Sequence, residues 1–335
     1  MRRWRGLDHL PGSWGRCVLT IGVFDGVHRG HQALIGRAVQ LAAERGLPSV
    51  VLTFDPHPSE VVRPGSHPAQ LTTLRRKAEL VEGLGVDTFC VLPFTPELAR
   101  VPADQFVHEV LVERLHVAAV VVGENFTFGY RAAGDVPMLR TLGQRFGFTV
   151  EDANLITIGR GGDPETAMAE AGTVFSSTYI RSCIDAGDVV AAAAALGRPH
   201  RLEGIVVRGD GRGRELGYPT ANLSLPRYAA VPADGIYACW FIRSGADGEQ
   251  RRQAAVSVGT NPTFSGRERR VEAFVLDIDE DLYGQRVSLD FVRRLRDMEK
   301  FDSAEALVEQ VHKDVAQTRD ILGADGGVNG GVNRA

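Results

Sequence analysis

The amino-acid sequence predicts an α/β fold in two parts: a Rossmann-like domain with a parallel sheet, then a small antiparallel β-barrel with a C-terminal helix. Three observations carry this expectation. Between residue 18 and about 185, near-continuous apolar runs alternate with longer stretches of helical period, the pattern of a parallel sheet covered on both faces. After "GRPHRLEG", at 197–204, strand-like runs follow one another across Gly, Pro and Asp turns, a spacing that suits a small barrel. The 335 residues, 44% of them hydrophobic, suffice for about two cores. The domains are read as 1–186 and 187–323, with 324–335 a Gly/Asn tail expected to be disordered.

The start "MRRWRGLDHLPG" is basic but broken by Asp8 and Pro11, which makes a poor signal peptide. Strands are predicted at "CVLTIGVF", "PSVVLTF", "TFCVLPF", "VAAVVVG" and "VEDANLITIG", with helices over 31–45, 73–84, 103–115 and 136–146. "GRGGDPETAMAEAG", at 159–172, interrupts the pattern and reads as a flap or insertion. "FSSTYIRSCIDAG" opens with capping hydroxyls and becomes a helix that "DAGD" ends. Beyond it, "RLEGIVVRG", "DGIYACWFIR", "RRQAAVSVG", "RRVEAFVLDI" and "QRVSLDFVRRLR" are barrel strands, and "SAEALVEQVHKDVAQTRDIL" is the closing helix.

Charge is nearly balanced, 38 basic against 42 acidic residues, so no basic field exists for nucleic acid or an anionic membrane. Apolar runs are far too short to span a bilayer. Cys17, Cys90, Cys183 and Cys239 are widely spaced and read as buried thiols of a reducing compartment, hence the cytoplasm. The only lysines are Lys77, Lys300 and Lys313, so phosphate chemistry here must lean on arginine, histidine, backbone amides and metal.

In the first domain the unusual residues fall at strand C-terminal ends, which share one crevice in an open parallel sheet. Gly22, Gly26 and Gly30 allow a tight turn before a helix whose amides can meet an anion. His28 and His31 share a helix face in its first turn and can donate to phosphate oxygens. A short His-x-x-His alone is more often a packing feature, and "FSSTYIR" alone an ordinary capped helix. In the second domain, "VVRGDGRGRELGYPTANL" is glycine-dense without a Walker lysine. Its amides can curl around phosphates, and Thr220 and Asn222, two apart, can offer oxygens from one side. Alternation puts Glu272, Phe274 and Leu276 on one face, so Glu272 is expected to point inward, where a structural ion pair is the plain reading.

"GVFDGVHRGH", "LTFDPHP", "GENFTFG" and "SSTYIR", then "GDGRGRELGYPTANL", "DGIYA", "SVGTNPTF", "VEAFVLD" and "LRDMEKF", in this order, resemble the prokaryotic bifunctional riboflavin kinase / FMN adenylyltransferase (FAD synthetase) family. The resemblance implies an N-terminal nucleotidyltransferase that adenylylates FMN to FAD and releases pyrophosphate. It implies a C-terminal kinase that phosphorylates riboflavin to FMN, with ATP as co-substrate and Mg²⁺ as cofactor. Carried over residue by residue, it implies that His28 and His31 stabilise the ATP phosphates within a loop that includes Gly22, Phe24, Asp25 and Gly26. Asn125 would serve the nucleotide site, Ser177 and Arg181 would grip phosphate, and Pro56, His57 and Pro58 would lie beside the flavin. Asn125 stands where many relatives carry Asp, and an amide adds no negative charge. In the kinase, the resemblance implies that Thr220 and Asn222 hold Mg·ATP, Gly211 and Gly213 cradle phosphate, Glu272 is the general base, and Arg296 contacts the flavin. Riboflavin, FMN and ATP are then the partners, with room for a weak homo-oligomer. Two other readings remain: transfer of a nucleotide to another phosphate acceptor, against which "DPHP" and the fused kinase argue, and a flavin-binding regulator with one decayed site.

Overall fold

The structure, a computed structural model, describes residues 1–8, 14–153, 175–209, 217–245, 248–263 and 266–326. The expected flap at 159–172, Gly211, Gly213 and residues 327–335 of the expected tail lie outside the described residues. The chain forms two compact units, Met1–Pro68 with Thr72–Ser176, and Ala69–Leu71 with Ser177–Ala335. This division falls between Ser176 and Ser177, earlier than the 186/187 boundary drawn from sequence.

The first unit is a six-stranded sheet built from β1 (Arg2–Arg5), β2 (Cys17–Ile21), β3 (Ser49–Asp55), β4 (Thr88–Pro93), β5 (Val117–Gly123) and β6 (Thr149–Ala153). Its order is β1-β4-β3-β2-β5-β6 and every pairing is parallel. Strand β2 is buried along its whole length, and alternate residues feed two cores. Leu19, Leu52, Val120 and Val122 join one cluster, while Val18, Val51, Ala119 and Val121 join the other.

Helices α1 (Arg29–Arg45) and α3 (Leu74–Gly83) cover one face through residues such as Ile35, Ala38, Ala78 and Val81. The short α2 (Pro58–Val62) follows β3. On the other face pack α4 (Ala103–Phe106), continued as a π-helix over Val107–Arg114, and α5 (Val136–Phe146). Helix α1 starts on the His28 cap and stops at Gly46, whose φ of 61° suits a left-handed C-terminal residue.

Strand β1 was not anticipated. Three of its four residues are arginines, so no apolar alternation marks it, yet an edge strand needs only backbone partners, and Arg2 to Arg5 pair with Thr88 to Val91. Trp4 then stacks edge-on against Trp14, centroids 4.7 Å apart.

The second unit opens with α6 (Ser177–Asp185) and α7 (Val189–Leu196). A closed antiparallel barrel follows, made of β7 (His200–Val207), β8 (Ala221–Ser224), β9 (Gly235–Gly245), β10 (Gly248–Thr263), β11 (Gly266–Val275) and β12 (Arg286–Arg296), in the order β10-β11-β8-β7-β12-β9. Helix α8 (Ala304–Gly326) closes the unit and takes in 324–326, the first three residues of the tail expected from sequence. The barrel interior holds Tyr237, Phe241, Val256, Ala273, Leu289 and Phe291. Strand β8, four residues long, is not among the strands that the sequence predicts.

Candidate active sites

In the first unit the chain leaves β2 toward β3 on one side and reaches β5 on the other, so the sheet order reverses between β2 and β5. Loops diverge there and leave a crevice at the strand ends. The β2 loop carries Gly22, Phe24, Asp25, Gly26 and His28, and the β5 loop carries Asn125, which is exposed.

The β2 loop is tightly determined. A Cβ on Gly22 would come within 3.1 Å of the Phe24 ring, so a larger residue there would push that ring aside. Phe24 and Val27 adopt φ of 49° and 40°, and Gly26 has φ of 83°. The buried Asp25 carboxylate accepts from the Thr72 backbone at 3.2 Å and hydroxyl at 3.3 Å, while Gly26 N–H donates to the same hydroxyl.

His28 caps α1 and its Nδ1 accepts from His31 N–H at 3.4 Å. An accepting Nδ1 means the neutral ring carries its proton on Nε2, the tautomer able to donate to a phosphate oxygen. The two imidazoles stack at 3.6 Å, and Phe24 meets His31 edge-on at 5.3 Å. Burial, then His28, then Lys77 hold the pKa of His31 well below the usual 6.5.

This shift has a stability consequence. As pH falls through about 6.5 the unfolded chain takes up a proton that folded His31 refuses, so stability drops by up to about 1.4 kcal/mol per pH unit. Thermal melting between pH 7.5 and pH 5.5 is expected to show that loss, and His31→Asn should flatten it.

Pro56, His57 and Pro58 sit at the end of β3, where His57 Nδ1 caps α2 by accepting from Ser59 N–H at 3.1 Å. Ser177 opens α6 and Arg181 follows one turn later, its Nε donating to Ala69 O at 2.6 Å. Both belong to the second unit, whereas the sequence reading set them in the first domain.

On the barrel, the expectation that Glu272 points inward is corrected. Val271, Ala273 and Val275 fill the interior, which leaves Glu272 and Phe274 on the outer wall. Alternation identifies two faces but not which one is inside when both carry apolar residues. Cross-strand register then aligns Val207, Asn222, Glu272 and Ser257 across β7, β8, β11 and β10. Thr220 donates its hydroxyl to Glu272 Oε2 at 3.2 Å, so Thr220, Asn222 and Glu272 meet as one oxygen-rich group.

Two pockets flank this group. One, about 880 Å³, is lined by Asn222 with Arg208, Arg227, Thr260, Arg269 and Arg270. Nothing in the local spacing of these four arginines sets them apart in an arginine-rich sequence, so sequence alone does not single them out. A Cβ on Gly209, just past β7, would lie 2.2 Å from Asn222 Nδ2, so a larger residue there would displace the Asn222 amide. The other pocket, about 330 Å³, lies beside β11 and α8; Tyr218, Phe274, Leu276, His312, Val315 and Ala316 give it a largely apolar lining, and the Arg319–Asp277 ion pair stands at its edge. Tyr218 meets Phe274 at 5.1 Å and His312 at 5.5 Å, both edge-on.

Arg296 is engaged elsewhere. Its Nε and Nη2 clasp the buried Asp314 carboxylate at 2.9 and 2.7 Å, and its Nη1 donates to Asp297 O. The guanidinium, its pKa raised first by the Asp314 hydrogen bonds, ties β12 to α8.

The model of the FAD synthetase family matches residues 11–162, and that of riboflavin kinase matches residues 196–322. A bifunctional riboflavin kinase/FMN adenylyltransferase of Pseudomonas fluorescens is 38% identical over 320 residues, 95% of this chain and 97% of that one. The chain belongs to the bifunctional riboflavin kinase/FMN adenylyltransferase family. The same name is carried by a Bacillus subtilis relative, 34% identical over 89% of this chain and 90% of that one. A solved structure described as a macrolide-efflux protein of Streptococcus pneumoniae shares 31% identity and a TM-score of 0.81, covering 95% of this chain and 99% of that one. Among the described residues no helix is long and apolar enough to cross a membrane. Helix α6, which carries Ser177 and Arg181, falls between the two family matches.

Proposed function

We propose that this family member phosphorylates riboflavin with ATP in its second unit and adenylylates the resulting FMN in its first. The observation that carries the reading is that each unit has its own suitable site: stacked imidazoles opening α1 after a parallel strand, and Thr220, Asn222 and Glu272 on the barrel wall.

For adenylylation, the FMN phosphate oxygen attacks the α-phosphorus of ATP in line, the bond to the β-phosphate breaks, and pyrophosphate leaves. His28 and His31 donate to the phosphates as charge grows on the leaving group. Gly22, Phe24, Asp25 and Gly26 hold the loop in which His28 sits, Asn125 serves the nucleotide, and Pro56, His57 and Pro58 flank the flavin. Ser177 and Arg181 offer a hydroxyl and a guanidinium suited to phosphate.

For phosphorylation, the apolar slot at Tyr218, Phe274 and His312 takes the flavin ring, and the arginine-lined pocket takes the ATP phosphates. In the chain Thr220 lies between Tyr218 of one pocket and Asn222 of the other, which sets Glu272 beside both. Glu272 removes the proton of the ribityl 5′-hydroxyl as its oxygen attacks the γ-phosphorus, and ADP leaves. Gly211 and Gly213 are assigned to the phosphate loop on sequence alone. Arg296 acts on the flavin side only by holding α8 against the barrel.

The oxygen donors of Thr220 and Asn222 fit Mg²⁺, a hard cation usually shared between a few protein oxygens, water and phosphate. Among the described residues no cluster of three or more His, Cys, Asp or Glu could hold a metal without the nucleotide. When bound, Mg²⁺ would neutralise phosphate charge. The four cysteines are buried and form no disulfide, which supports a reducing, cytoplasmic setting.

Purified protein given riboflavin, ATP and Mg²⁺ should form FMN and then FAD, resolved by chromatography. Accumulation of FMN alone would refute the first-unit assignment, and no flavin product would refute both.

A further inference from the structure

Lys77, on α3, is the only lysine before residue 300, and it is 6% exposed. An amphipathic helix normally leaves lysine in water, since burying an ammonium forfeits its hydration. Its Nζ donates to the Val23 carbonyl at 2.7 Å, and Thr53 Oγ1 donates to the same oxygen at 3.0 Å. Val23 immediately precedes Phe24, the first of the two non-glycine residues in this loop with positive φ. Such a backbone persists only where its surroundings over-determine it. Thr53 and Lys77 grip one side of the turn, and Thr72 grips Asp25 on the other.

We propose that Lys77 is a positioning residue for FMN adenylylation: its ammonium pins the Val23 carbonyl that shapes the turn and sets a buried positive charge close to the stacked imidazoles. This rests on the reading of His28 and His31 as phosphate donors. The titratable and charged groups at this corner are His28 at the N-cap of α1, Lys77 on α3, Asp25 in the loop, and Asp55 at the end of β3, which Arg5 pairs at 2.8 Å. Burial lowers the pKa of Lys77, while Asp25 and Asp55 favour its charged form. Burial foremost, then His28 and Lys77, oppose protonation of His31, so the neutral donor persists at mildly acidic pH.

Lys77→Met keeps an unbranched chain, one atom shorter, and removes donor and charge. Its kcat for FMN adenylylation should fall about 10- to 100-fold as the loop shifts. The acid limb of the kcat profile should also move to higher pH by roughly half a unit or more, because one charge opposing His31 protonation is gone. Riboflavin phosphorylation by the same chain should be unchanged. Lys77→Arg keeps the charge, and its acid limb should stay at the wild-type position.

A Met chain that adenylylates like wild type, or that loses activity with its acid limb unmoved, overturns the proposal. Where the Met chain does not fold, the Arg chain decides: an acid limb at the wild-type position upholds the proposal and a displaced one overturns it. Wild-type protein that makes no FAD from FMN overturns the assigned function instead, whatever Lys77 does.

Discussion

Chains carrying His28→Ala or His31→Ala are expected to lose FMN adenylylation by about 10²- to 10³-fold, the usual cost of removing one donor aimed at developing charge. Riboflavin phosphorylation should be untouched, so such chains fed riboflavin and ATP accumulate FMN. The two substitutions should not add as independent losses. His28 Nδ1 accepts from His31 N–H and the rings stack at 3.6 Å, so removing either imidazole disturbs the other. FAD formation from FMN at the wild-type rate in either variant would remove the imidazoles from the mechanism.

The reciprocal result is expected for Glu272→Gln. The amide keeps the size of the side chain and can still accept from Thr220, but it cannot take up the ribityl proton. Riboflavin phosphorylation should fall by about 10²- to 10⁴-fold, the range a positioned general base supplies, while FAD formation from added FMN continues. Because Glu272 stands on the outer barrel wall and not in the core, the change should cost little stability. Thermal melting checks this, and a large drop in melting temperature would point to a structural carboxylate. If both activities fell together, the division of labour between the units would be wrong.

How much of this was readable from sequence depends on the physics of each element. The β2 strand and its loop were legible because continuous apolar residues, glycines and two histidines occur in one short stretch, and each demands the same strand-turn-helix geometry. Strand β1 was not, because its pairing with β4 rests on backbone alone. For Glu272 the face was legible and its direction was not: Val271, Ala273 and Val275 lie on one side of β11 and Phe274 on the other, with Leu276 just beyond the strand, so hydrophobicity cannot say which is the interior. Arg208, Arg227, Arg269 and Arg270 gather at one pocket through barrel closure, a long-range event with no local signature. Lys77 is a similar case, since an isolated lysine on an amphipathic helix reads as solvated until α3 is seen packed beneath the β2 loop.

The central claim is that one chain carries out phosphoryl transfer and nucleotidyl transfer in succession. Its most direct test is the stoichiometry of a reaction begun with riboflavin, excess ATP and Mg²⁺ and followed to completion. The account predicts one ADP and one pyrophosphate for every FAD formed, with FMN rising first and then falling. ADP without pyrophosphate, or FAD formed without a matching yield of ADP, would contradict it.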